Sequence, residues 1–378
     1  MSPIKIGFVG LSSRGWAASS LAPPLLKSPL SDLYSITAVS TRSPESAQAS
    51  AEKYSGLLSH PVKPYHGSTE AIANDPNVDL VAVSVKTPQH KAALLPAIAA
   101  GKDVFVEWPL GNGLQEAVEL AAAAEKRGVR TLIGLQAWQS PLVSKVKEWV
   151  SSGKIGRVLS ASWIAAKPAE MTVWAPFHNG SDYEIYALDP NNGATILSIF
   201  AGHNLSALTY TLGPLSSVSA TSAHLYKESK LVGDDHKPTG ETRPNLYPDQ
   251  WAFTGTLRDS GAILTASWHT GGTATKETDK VRPTLVWLIE GEEGHIRIES
   301  TAILGSAVHL RTTHKVIVNG EEVSITDHEL GNTGQAWLEF AKGEKGRYPT
   351  FDDAVVVHKH LDAIERSAKE GRTVKIDI

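Results

Sequence analysis

Over the first third of the chain, short apolar runs alternate with alanine-rich stretches of helical pattern, and each run stops at a glycine or a polar cluster. Residues 5–9 form the first run and end at Gly10, and residues 34–40, 80–85 and 103–107 predict three more strands. Helices are predicted over 44–53, 90–100 and 114–127. Strict alternation of strand and helix predicts a parallel sheet with helices on its faces. From residue 157 the pattern changes. Runs at 159–165, 251–257, 262–268, 285–290 and 295–299 follow one another with turns between them, so a strand-rich region is expected. Residues 227–250 are polar, with Gly233-Asp234-Asp235 and several prolines, and are expected to form a long surface excursion. No internal repeat is evident. The expectation is an α/β chain of two domains, residues 1–134 and 135–378.

Composition narrows the function classes. The chain has 378 residues and 41% hydrophobic content, enough for two buried cores. Its 36 Lys and Arg against 40 Asp and Glu leave a net charge of -4, which gives no long-range attraction to a phosphate backbone, so direct nucleic-acid binding is not expected. Cysteine is absent, which removes disulfides, thiolate metal ligands and thiol nucleophiles. Neither a basic-then-apolar leader over residues 1–10 nor a run of about twenty apolar residues is present, so a cytoplasmic protein without membrane contact is expected. His358 and His360 are two apart on a predicted helix and point to different faces; no metal-ligand spacing appears, and no metal is expected.

The first strand and the helix after it are joined by Gly10-x-Ser12-x-x-Gly15, a dinucleotide fingerprint with serine in place of the middle glycine. Gly10 permits the tight turn, Gly15 is expected to let the helix pack close to the strand, and Ser12 is small enough for a backbone to approach a pyrophosphate. Free N–H groups at the helix start, over Ser13, Arg14, Gly15 and Trp16, would face that pyrophosphate. The reading is a Rossmann domain. Its second strand ends in Ser40-Thr41-Arg42, where NAD-specific domains carry an acid. Donors and a cation there suit a 2'-phosphate, so NADP is expected ahead of NAD; Arg42 as a solvated loop residue stays open.

Several segments carry a resemblance: Ile6-Gly7-Phe8-Val9-Gly10, Thr87-Pro88-Gln89-His90, Val106-Glu107-Trp108-Pro109, Ser152-Gly153-Lys154-Ile155-Gly156-Arg157-Val158, and Ala363-Ile364-Glu365-Arg366-Ser367-Ala368 with Gly371-Arg372. The chain resembles the Gfo/Idh/MocA family (glucose-fructose oxidoreductase, inositol dehydrogenase, rhizopine catabolism) nearly end to end. Gly15-Trp16-Ala17, Glu107-Trp108, Leu135-Gln136 and Ser140-Pro141 are similar to the branch of the fungal galactose-regulon repressor. The resemblance implies an N-terminal Rossmann domain and a C-terminal α/β domain with a large, mostly antiparallel open sheet, whose outer face commonly builds oligomers; a dimer is the first expectation. It also implies dinucleotide contacts from Thr87, Pro88, His90, Glu107 and Trp108.

The family's usual apparatus is a lysine after the fourth strand plus an aspartate and a histidine on a helix. Here Trp108 stands for the lysine and Ile199 for the aspartate, while His203 is kept. His203 is therefore a candidate acid, or else a packed histidine. Trp138 stands where relatives often have arginine, which argues against a strongly acidic substrate. A loop rich in aromatic and titratable groups holds Lys167, Trp174, His178, Tyr183 and Tyr186. Loops over a cofactor cleft supply specificity. Lys167 and Tyr186 rank first as proton donors beside His203, and Trp138, Trp174, His178 and Tyr183 are candidate substrate contacts. Residues 268–272 are read as a pocket wall or a surface turn.

Three functions stay open on this reading. The first is an NAD(P)-dependent oxidoreductase, NADP preferred, acting on a neutral hydroxyl- or carbonyl-bearing small molecule such as a sugar derivative or secondary metabolite. Loss of the lysine and aspartate favours the second, a catalytically silent dinucleotide sensor that binds a transcription activator. The third is a redox-neutral isomerase or cyclase on the same scaffold.

Overall fold

The structure is a computed structural model that describes residues 2–13, 15–180, 186–272, 282–310 and 314–378. Six parallel strands, β1 (Ile4–Val9), β2 (Tyr34–Thr41), β3 (Lys63–His66), β4 (Leu80–Val83), β5 (Asp103–Glu107) and β6 (Thr131–Gly134), form one sheet in the order β3-β2-β1-β4-β5-β6. That order reverses at β1, the crevice where doubly wound sheets bind ligands. The helices Pro44–Leu58, His90–Ala99 and Leu114–Arg127 cross between strands as the pattern predicts.

Two compact units divide the chain: residues 1–139 with 328–355, and residues 140–327 with 356–378. A single boundary after residue 134 therefore does not describe it. Residues 328–355 return because the helix Gly331–Ala341 completes the first core, where buried Trp337 and Phe340 join Phe8, Val39, Phe105 and Leu132. Trp337 meets the Phe105 ring at 4.7 Å, and Tyr34 donates its hydroxyl to the Trp337 carbonyl at 2.7 Å. The helix Phe351–Glu370 begins in the first unit and ends in the second.

The second unit is built on nine strands: β7 (Val158–Lys167), β9 (Leu215–Ala223), β12 (Gln250–Leu257), β13 (Ile263–Thr270), β14 (Leu285–Gly291), β15 (His295–Ser300), β16 (Lys315–Val318), β17 (Glu321–Glu322) and β18 (Val374–Lys375). Their order is β17-β16-β15-β14-β7-β13-β12-β9-β18, antiparallel throughout except where β7 and β13 run parallel. Alternation on β7 and β13 sends Trp163, Ala165, Ala266 and Trp268 into the core, against the buried helix Gly202–Leu212. Ser162, Ile164, Thr254, Thr265 and Ser267 face the other way and line an open groove of about 770 Å³.

Residues 227–250 are more ordered than the expected excursion. They supply β10 (Glu228–Val232) and β11 (Pro238–Pro244), which with β8 (Phe177–Asn179) make a small sheet in the order β11-β10-β8. Ser229, Leu231 and Val232 of β10 are buried, and the two apolar side chains anchor a hairpin whose other strand, β11, is exposed. Among the described residues, no helix is long and apolar enough to cross a membrane.

Candidate functional site

In the first unit the turn after β1 is held open by Gly10. Its φ is +94°, and a Cβ there would lie 2.1 Å from the Ser84 carbonyl oxygen, so glycine is needed for conformation and for space. The Gly10 N–H donates to the Ser40 carbonyl at 2.8 Å, which ties the turn to the end of β2. Gly15 has a φ of +93°, but a Cβ there would meet nothing within 4 Å. Its glycine serves backbone conformation, not the close helix packing expected from sequence. Ser12 is half-buried and Ser13 exposed, while Arg14 lies outside the described residues.

Trp16 opens a π-helical turn, Ala17–Leu21, instead of a regular α-helix. Such wide turns recur at functional sites. Its indole N–H reaches Glu107 Oε1 at 2.9 Å, and Gln136 Nε2 donates to Glu107 Oε2 at 3.2 Å. Gly134 leaves room for that carboxyl, because a Cβ on it would lie 2.4 Å from Glu107 Oε2. Burial pushes the Glu107 carboxyl up to about 7, against the two donated hydrogen bonds. Gln136 Oε1 is buried without a hydrogen-bond partner among the described residues.

At the end of β2, Ser40 is buried with its hydroxyl unpartnered among the described residues, and Arg42 is exposed. The Thr41 hydroxyl is engaged locally, donating to the Ser43 carbonyl at 3.2 Å and lying 2.5 Å from Ser46 Oγ. His90 is buried, with Nδ1 2.8 Å from the Pro109 carbonyl and Nε2 3.1 Å from that of Val85, so its ring joins the turns after β4 and β5. Thr87 is buried, Pro88 exposed, and Trp108 is 5% exposed beside a cis bond to Pro109. Trp138 is half-buried on the short turn Gln136–Gln139.

The second unit gathers a polar cluster at the end of β7. Lys167 ends the strand and is not on a loop; it pairs in register with Thr270 of β13, so residues 268–270 are strand as well. Its side chain is 0% exposed, its amine donates to the Ala175 carbonyl at 3.2 Å, and desolvation pulls it down to about 7 against the weak support of Glu170. The turn that supplies this carbonyl is tightly held. Trp174 adopts a left-handed φ of +60°, its N–H donates to His178 Nδ1 at 3.0 Å, and its indole donates to the Ala194 carbonyl at 2.7 Å. Accepting at Nδ1 fixes buried His178 as the neutral tautomer with its proton on Nε2. Tyr186 is half-buried on the short turn Tyr186–Leu188, and Tyr183 lies outside the described residues.

Thr195 caps a π-helical segment, Ile196–Ala201, and the α-helix Gly202–Leu212 follows it. His203, at the start of that helix, is 8% exposed and stacks on His309 with ring centres 3.8 Å apart and planes 9° from parallel. Burial and the neighbouring imidazole hold His203 well below the ordinary histidine range, and burial takes His309 down to about 3. Next to it, Asn204 accepts from the indoles of Trp268 at 2.9 Å and Trp163 at 3.3 Å, and donates to the Ser306 carbonyl at 2.9 Å. Ser306 Oγ in turn donates to the Ala166 carbonyl at 2.9 Å. Sequence reasoning missed Asn204, Ser306 and His309. Nothing in their local sequence marks them, since the helix Gly202–Leu212 meets the segment after β15 only in the folded unit.

Comparison with known proteins follows the same division. Residues 4–135 match the description "Oxidoreductase family, NAD-binding Rossmann fold", and residues 141–300 match "Gal80p, C-terminal domain". Dehydrogenase aclE of Aspergillus oryzae is 33% identical over 377 residues, covering 98% of this chain and 97% of that protein. The chain belongs to the Gfo/Idh/MocA family. Within Gfo/Idh/MocA it has a Gal80-like second domain: the galactose/lactose metabolism regulatory protein GAL80 of Saccharomyces cerevisiae is 28% identical over 311 residues, 80% of this chain and 68% of that one. The crystal structure of a super-repressor mutant of Gal80p from the same yeast shares the fold, with a TM-score of 0.84 at 23% identity over 99% of this chain and 98% of that chain. Both a dehydrogenase and a regulator are thus similar to this Gfo/Idh/MocA member over most of its length.

Proposed function

We propose that this protein is an oxidoreductase that binds NADP in preference to NAD and moves hydride to or from a neutral hydroxyl- or carbonyl-bearing small molecule. The observation that carries the reading is Lys167, a fully buried amine held near neutrality at the end of β7. Reduction of a carbonyl needs a proton at the oxygen, and an amine that titrates near 7 both gives and takes one at working pH. Lys167 then serves as the proton donor and acceptor. Substrate reaches it by displacing the Trp174–His178 turn, whose carbonyl the amine now holds. His203, neutral in its buried stack, hydrogen-bonds the substrate oxygen without charge, and Tyr186, Trp174 and His178 shape the site. When bound, the dinucleotide supplies the hydride; Gly10, the N–H groups from Ser12 onward and the Trp16–Glu107 pair orient it, and Arg42 meets the 2'-phosphate.

The test is to follow absorbance of NADPH with the purified protein and a panel of aldoses, ketoses and quinone-like carbonyls. Consumption with at least one, reduced about a hundredfold or more in Lys167→Met with NADPH affinity unchanged, is expected. No consumption despite tight binding favours the second reading, a dinucleotide sensor that binds a transcription activator. The match of residues 141–300 to the Gal80p C-terminal domain supports that alternative. In either case we expect a homo-oligomer through the open face that carries Ile164 and Thr265, which light scattering tests directly.

A further inference from the structure

We infer that His309 is the positioning residue for His203: its ring, laid flat against the other, sets the plane of the imidazole that meets substrate. The inference rests on the oxidoreductase reading above and adds to it a residue that no sequence motif marks.

Four observations carry it. The two rings are 3.8 Å apart and 9° from parallel, so rotation of the His203 ring about its Cβ–Cγ bond would drive an edge into the His309 face. His203 Nδ1 is buried with no hydrogen-bond partner among the described residues, and position 199, one helical turn before it, is Ile, which can accept no proton. Stacking is therefore the constraint that remains. Third, His309 is itself fixed: its loop is pinned by Ser306 to the Ala166 carbonyl on one side and to Asn204 on the other, and Ala307 and Val308 are buried. The same short loop thus touches the strand that ends in Lys167 and the helix that bears His203. Last, burial first and the neighbouring His309 ring second hold His203 below the ordinary histidine range, and burial holds His309 down as well. The pair stays neutral, and a neutral imidazole offers one N–H to a developing oxyanion without a charge to desolvate.

Two variants separate positioning from bulk. His309→Ala removes the flat face, while His309→Phe keeps a stacked ring and removes its nitrogens. With a turned-over substrate, His309→Ala is expected to lower kcat by about tenfold to a hundredfold, with KM and dinucleotide affinity within about twofold, and His309→Phe to recover most of it. The second readout needs no substrate. In protein carrying ¹⁵N-labelled histidine, with the signal assigned by its absence in His203→Gln, the His203 ring nitrogen signals should be single and sharp in the wild type and in His309→Phe, and should shift and broaden in His309→Ala as the ring becomes free to turn. An unchanged His203 signal in His309→Ala overturns the inference, as does a His309→Phe protein that folds, binds dinucleotide and loses as much kcat as His309→Ala. If the wild-type protein reduces nothing, the oxidoreductase reading fails on its own, and the nitrogen spectra still decide whether His309 positions His203.

Discussion

The Trp16 indole donates to the Glu107 carboxylate at 2.9 Å across 91 positions of the sequence, joining the helix start after the glycine turn to the end of β5. These two points flank β4 in the sheet, so the pair spans the carboxyl edge on which a dinucleotide lies. A carboxyl in this place is a titrating element of the fold.

Its sign can be worked out. An ordinary glutamate ionises near 4.5, and burial raises Glu107 to about 7. Between those values the folded chain keeps a proton that the unfolded chain releases, so this group's contribution to stability falls as pH rises through that window and is level above it. Glu107→Gln cannot ionise and lacks the decline. Urea midpoints at about pH 5 and pH 8 should therefore shift in the variant's favour at the higher pH. A constant difference would place the carboxyl's titration elsewhere.

Arg42 is exposed at the end of β2, beside a buried Ser40 hydroxyl. On the proposed reading, Arg42→Asp sets a carboxylate against the ribose and removes the cation that faces a 2'-phosphate. The expected result is a loss of NADP affinity of about tenfold or more, with NAD affinity kept or improved. Titration with both coenzymes measures it, and unchanged NADP affinity would take Arg42 out of the site.

Gly10 and Gly15 have nearly the same φ but different surroundings. Gly15→Ala meets open space and should cost about 1–2 kcal/mol of backbone strain. Gly10→Ala adds a collision with the Ser84 carbonyl, so it should be the more damaging in chemical denaturation. Equal losses would contradict the account of the turn.

Neutral histidines are built into the second unit's core. His360 accepts the Leu215 N–H at 2.9 Å, and burial holds it down to about 4; His309 and His358 are held near 3. Their unfolded value is about 6.5, so as pH falls below that the unfolded chain takes up protons the folded chain refuses, and stability declines towards pH 4. His360→Leu leaves a buried N–H without its acceptor and should cost about 1–3 kcal/mol at neutral pH, read from urea unfolding.

How much of this was legible in sequence depended on what marked each element. The strand Asp103–Glu107 and the helix Leu114–Arg127 were legible to the residue, because an apolar run and a glycine pair bound them. The edge strand Lys63–His66 is short, mostly exposed and contains Pro64, so it carries no apolar signal. The strand Leu215–Ala223 is rich in serine and threonine on the open face and carries no apolar run that marks a strand. The helix Gly331–Ala341 has a readable apolar stripe, yet nothing local says that Trp337 returns to the first core. The glycine turn was legible because its chemistry lies in consecutive residues. The Lys167, Asn204 and His309 region was legible only in part, because a strand end, a helix and a loop from distant positions come together there.

The most direct test of the whole account is isothermal titration of the wild-type protein and Gly10→Ala with NADPH, NADP, NADH and NAD. Saturable heat with the wild type, stronger for the phosphorylated pair and abolished in Gly10→Ala, is the predicted result. No heat with any of the four coenzymes, or binding that survives unchanged in Gly10→Ala, would contradict it.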